Sequence, residues 1–127
     1  MAESQPFALV LRFTGVVVSR SALESALGVK VDRYESARTR PLHYAQIDMA
    51  SGDDPWPATL DWVRNNGPKV RTLIAEHLIE RASLDLAIAY PDDSMTTSTN
   101  LRSHVLEALG QHGIDIELSV YRESTDD

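Results

Sequence analysis

Four histidines, nineteen acidic residues and no cysteine set the chemistry open to this chain of 127 residues. Without thiols there is no disulfide framework, thiolate zinc site, iron–sulfur cluster or cysteine nucleophile, and the composition suits a reducing compartment. His43, His77, His104 and His112 belong to no HExxH helix, no histidine pair at helical spacing and no serine elbow. His77 and Glu80 stand three apart on an expected helix, where they could share a metal. Two ligands fall short of a metal site, however, and such neighbours are ordinary on a helix surface. The hydroxyl-rich stretch 94–100 precedes a helix and could meet a phosphate. It lacks the glycines and lysine of a phosphate loop, so its residues read as caps and loop. No catalytic residue, cofactor or metal site is assigned.

The acidic residues offer a better-defined pattern. Strand alternation places Asp85, Asp115 and Glu117 opposite the apolar residues of their strands, on two strands joined by one crossover. Three carboxylates on one sheet face can attract a hard cation; equally, mixed sheets often keep one face wet, and Arg12 on the first strand can neutralise part of the charge. The same face carries Val10, Ala87, Ala89 and Tyr121. Such a flat, partly apolar surface rimmed by carboxylates suits contact with a second copy or another protein, or equally coverage by the chain's own loops. Lys30, Arg33, Arg38 and Arg40 are diluted by Asp32 and Glu35 and read as a solvated loop rather than an RNA surface. Twelve basic against nineteen acidic residues leave a net charge of −7. That balance argues against affinity built on phosphate neutralisation and for a basic protein partner.

Several elements must position these residues. Residues 7–13 alternate as a strand, with Phe7, Leu9, Leu11 and Phe13 on its apolar face. Ser21 and Glu24 have capping-box spacing for a short helix bearing Leu23 and Leu27 and stopping at Gly28. Residues 29–34 and 42–49 supply two more strands. After the break at 51–57, a helix is expected over 56–66, and Gly67–Pro68 is expected to end it and start a second helix running to about 81 with Val70, Leu73, Ile74 and Leu78 inward. Leu84, Leu86, Ile88 and Tyr90 form the apolar face of the next strand, before a polar loop at 92–97. Ser98 or Thr99 caps a helix carrying Leu101, Val105 and Leu109. The last strand, 114–122, turns Ile114, Ile116, Leu118 and Val120 to one side.

Strand–helix–strand units at both ends of the chain imply right-handed crossovers. The expected fold is α+β: one domain with its core at about 6–122, a two-layer sandwich of ferredoxin-like character with helices on one face of a mixed sheet. The order of elements resembles the bacterial domain of unknown function 4279. The resemblance rests on the opening FALVLRF, the helix ending ALGV, the central WVRNNGPKVRTLIAEH and the closing LDLAIAYPDDSMTTSTNLRSHVLEALGQHGIDIELSVY, with Tyr44 where the family pattern has tryptophan. It implies this fold and a bacterial origin and carries over no site residues.

The N-terminus has no basic leader region, and no run approaches the ~18 apolar residues of a membrane span, so the expected protein is soluble and cytoplasmic and meets no membrane. Size, charge and missing catalytic motifs point to a non-enzymatic protein-binding domain, of immunity or antitoxin type, that can also form a homodimer. The alternative is a regulatory domain for a small molecule or metal. Val10, Arg12, Asp85, Ala87, Ala89, Asp115, Glu117 and Tyr121 are the expected interaction surface, with Ala87 exposed enough to tolerate arginine.

Overall fold

A computed structural model describes residues 2–3, 6–37, 42–90 and 96–122. The elements run β1 (Ala2–Glu3), β2 (Ala8–Val16), α1 (Arg20–Leu27), β3 (Arg33–Glu35), β4 (His43–Ser51), α2 (Trp56–Ala75), β5 (Arg81–Tyr90), β6 (Thr97–Ser98), α3 (Ser103–Gln111) and β7 (Ile114–Arg122). The main sheet has the order β3-β4-β2-β5-β7, while β1 and β6 form a separate parallel pair. Strands β3, β4, β2 and β5 each run antiparallel to their immediate neighbours, in the order of a ferredoxin-like unit built from β2-α1-β3 and β4-α2-β5. Helix α3 then adds β7 parallel to β5, making the sheet mixed. The fold is an α+β two-layer sandwich, as the sequence implies.

The core lies between sheet and helices. Leu9, Leu11 and Phe13 of β2, Ala45 and Ile47 of β4, and Leu84 and Leu86 of β5 meet Leu23 and Leu27 of α1, Val63, Val70 and Leu73 of α2, and Val105 and Leu109 of α3. Phe13, Leu11 and Leu84 are almost wholly removed from water. Burial of each such side chain contributes about 1.5–3 kcal/mol.

Local departures from expectation have physical reasons. Ser19, not Ser21, caps α1 by accepting the Ala22 amide at 3.2 Å. Glu24 leaves the capping role to take the Val31 amide at 2.8 Å, while Arg20 donates to the Val31 carbonyl at 2.9 Å. Side chains of α1 thus satisfy Val31, and β3 begins only at Arg33. Gly28 ends α1 in the left-handed region at φ 74°.

The two helices expected on either side of Gly67–Pro68 are one helix of 20 residues with Pro68 inside it. Its inward residues, Thr59, Leu60, Val63, Gly67, Val70 and Leu73, keep helical spacing straight across that dipeptide. Packing of this unbroken stripe outweighs the ~3 kcal/mol cost of an interior proline. Gly67 is needed for closeness: a Cβ there would lie 2.3 Å from the His112 ring. The helix stops at Ala75, and His77 turns to φ 60°, so His77 and Glu80 do not share a helix face.

Arg38, Arg40 and residues 92–95 of the expected polar loop lie outside the described residues. Among the described residues, no helix is long and apolar enough to cross a membrane.

Candidate interaction surface on the open sheet face

Register alone assembles a polar field on the face away from the helices. Arg12 of β2 stands opposite Gln46 of β4 and Ser83 of β5; Val10 stands opposite Asp48 and Asp85. Across the parallel pair, Asp85 is level with Glu117, Ala87 with Ser119, Ala89 with Tyr121 and Ser83 with Asp115. The residues expected on this face do share it.

Their exposure, however, differs from expectation. Asp85 is only 3% exposed, and Ala87 is buried. The reason is position: β5 lies inside the sheet between β2 and β7, and residues 82–88 are buried without interruption on both faces. Ala87 is therefore not a free surface position. Val10, Arg12 and Ala89 are half-buried, whereas Asp115, Glu117 and Tyr121 are exposed. Leu118 and Val120, expected under the helices, are more than half exposed, because β7 is the sheet edge and α3 reaches over its beginning at Ile114. Phe7, expected in the core, is also exposed; its ring meets Tyr121 edge-on at 5.8 Å between centroids.

At the centre of the face, Arg12 Nη2 donates to Asp85 Oδ2 at 2.9 Å and the Ser119 hydroxyl donates to Asp85 Oδ1 at 2.6 Å. One carboxylate thereby ties β2, β5 and β7. On β4, the Tyr44 hydroxyl donates to Gln46 Oε1 at 2.8 Å and the Gln46 amide donates to Asp48 Oδ1 at 3.1 Å. Burial pulls the Arg12 guanidinium down, but Tyr44, Asp85 and Glu117 outweigh it and hold its pKa above the ordinary value. Burial raises the Tyr44 phenol, offset in part by Arg12 and Arg33. Among the described residues, the buried Arg12 Nε has no hydrogen-bond partner.

The polar groups of this face are largely committed to one another. The Ser119 hydroxyl donates its hydrogen bond straight to Asp85 Oδ1. Asp85 is engaged by Arg12 and Ser119, and Asp115 pairs with Arg81 at 3.4 Å. Among the described residues, no three histidine or acidic side chains gather as metal ligands. Ser119 shares this face as its alternation in the last strand implies, whereas Tyr44, Gln46 and Phe7 belong to the site without being assigned to this face from sequence. The even positions Tyr44, Gln46 and Asp48 carried the missed signal, a polar alternation along β4.

A second concavity lies elsewhere, in the cleft where the first turns of α2 and α3 converge. Its volume is about 490 Å³; Trp56, Leu60 and Val105 line its apolar wall, and Asp53, Asp54, Arg102 and His104 supply charge or hydrogen bonds. No protein-family model, no curated protein and no solved structure matches this chain.

Proposed function

We propose that the protein is a non-enzymatic protein-binding module whose open sheet face receives a basic partner. The observation that carries this reading is the exposed aromatic pair formed by Phe7, just before β2, and Tyr121 of β7, the strand that also exposes Glu117 and Asp115. Half-exposed aromatic rings provide apolar anchoring at low conformational cost, and carboxylates around them select and steer cationic groups. The net charge of −7 acts in the same direction. An immunity-type or antitoxin-like role fits this chemistry, and kinship with the domain of unknown function 4279 is proposed beside it on the motifs quoted above.

The test is affinity capture from host extract at low and high salt with wild type and Tyr121→Ala. The expected outcome is a stoichiometric basic protein that is retained by wild type, released by salt and lost from the variant. Recovery of no stoichiometric partner sinks the reading. The cleft between α2 and α3 favours a second reading, a small-molecule regulatory domain, because its size and mixed lining suit a compact ligand. A thermal-shift screen separates the two: a ligand at 100 times its Kd adds about 2.7 kcal/mol of stability, and a Trp56→Ala variant should lose that gain.

A further inference from the structure

We infer that β7 is a self-pairing edge: two copies of the chain join antiparallel through β7, about a two-fold axis at Ser119, into one continuous ten-stranded sheet. This does not rest on the partner proposed for the open face, since it uses the backbone edge rather than the face.

The inference begins with an unguarded edge. Among the described residues β7 has a neighbour on one side only, β5, with which nine residues are in register. Its outer row of amide and carbonyl groups is a template for another strand. The usual defences are a short strand, a lysine, a proline or a bulge. β7 has nine residues, IDIELSVYR, without lysine or proline, and its register with β5 carries no bulge. Leu118 and Val120 on the helix side and Tyr121 on the open face are 52%, 54% and 52% exposed. Leu106 of α3, the helix packed against β7, is exposed as well.

The sequence of β7 then selects its own copy as the occupant. Its carboxylates, Asp115 and Glu117, fall in the first half and its exposed apolar residues in the second. A parallel in-register copy would set Asp115 against Asp115 and Glu117 against Glu117, which is unfavourable. Antiparallel pairing about Ser119 sets Leu118 opposite Val120, Glu117 opposite Tyr121 and Ile116 opposite Arg122, each pair occurring twice. No carboxylate faces another. The two most exposed aliphatic side chains of the strand cover each other, and the interface is isologous, as a closed dimer requires.

Sedimentation velocity over a concentration series on the full chain tests this. A dimer with Kd near ~10 µM is mostly associated at ~100 µM. Each of Leu118→Lys and Val120→Lys should weaken association by ~10-fold or more, because each change acts twice across the two-fold and lysine is the natural guard of an edge. Both positions are exposed in the monomer, so far-UV circular dichroism should stay unchanged. The register has its own test, which the absence of cysteine makes clean. Ser119→Cys should cross-link to itself under mild oxidation, whereas Asp115→Cys, facing away from its own copy, should lag by ~10-fold or more. A chain that stays monomeric at ~100 µM overturns the proposal. So does a dimer that survives both lysine variants, or one in which Asp115→Cys cross-links faster than Ser119→Cys.

Discussion

The two edges of the sheet are built on opposite terms. β3 has three residues, and its outward groups are Arg33 and Glu35, which pair with each other in water. A surface pair of that kind contributes about 0–1 kcal/mol, yet charge and shortness are what keep an edge from recruiting strands. β7 has nine residues, carries exposed Leu118, Val120 and Tyr121, and is fastened to the sheet interior by Ser119 on Asp85. One edge is closed by being brief and charged, and the other is long, apolar and firmly held. The difference teaches that the fold invests its buried polar contacts in the edge it leaves open. Substitutions along the two edges can break or sharpen that comparison.

The largest effect is expected where the β7 side is anchored. Arg12→Leu removes the cation beside a carboxylate that is 3% exposed, leaving Asp85 with the Ser119 hydroxyl alone. An uncompensated buried charge of this type costs about 3–5 kcal/mol; because Arg12 itself is one-third exposed and water can enter, about 3 kcal/mol is expected. Urea unfolding should show a midpoint shift at unchanged slope. Arg12→Leu combined with Asp85→Leu should recover much of the loss, since removing both partners leaves no orphaned charge. If the double variant is as unstable as the sum of the two single ones, the pair is not the anchor.

That anchor also marks how far sequence reading reached. Alternation in 7–13, 84–90 and 114–122 is enough to put Arg12, Asp85, Asp115 and Glu117 on one face, because side chains in a strand alternate strictly. It could not rank their burial. Burial depends on which strands flank β5, and that order is set by long-range crossovers rather than by local pattern. Ala87 is buried for this reason, and Leu118 and Val120 are exposed for its converse, since an apolar stripe at an edge has no helix above its far end. The Gly67–Pro68 break failed differently. Local propensity opposes a continuous helix there, but the unbroken inward stripe from Thr59 to Leu73 outweighs the dipeptide.

The next effect concerns the turn that delivers the open edge. His112 lies between α3 and β7, and its ring is held against Gly67 at the middle of α2. In an exposed helix Gly67→Ala would gain ~1 kcal/mol from propensity. Here the added methyl would lie 2.3 Å from the imidazole, and overpacking should reverse the sign to a net loss of about 1–3 kcal/mol. In a His112→Ala background the same substitution should be neutral or stabilising. A double-mutant cycle by thermal unfolding measures the difference, and additivity of the two changes would show that ring and glycine are not in contact.

The smallest effect belongs to the closed edge. Tyr34 is the one residue of β3 packed against the core, and its hydroxyl donates to the Val18 carbonyl at 2.8 Å. Tyr34→Phe should cost about 1 kcal/mol at neutral pH, the ordinary net contribution of such a bond. Burial raises the Tyr34 phenol above its usual value, so the folded state holds the neutral form more tightly than the unfolded chain does. The linked stability is fully present below the unfolded pKa of ~10 and is lost as pH rises through the raised folded value. Wild type should therefore lose its advantage over Tyr34→Phe above pH ~10, and the two unfolding curves should converge there. Tyr44, raised by burial as well, remains in both proteins and cancels from the comparison. A gap that stays constant from neutral pH to beyond pH ~10 would mean that the Tyr34 hydroxyl is not buried. Sedimentation of Tyr34→Phe should match wild type, because β3 contributes nothing to an association that runs through β7.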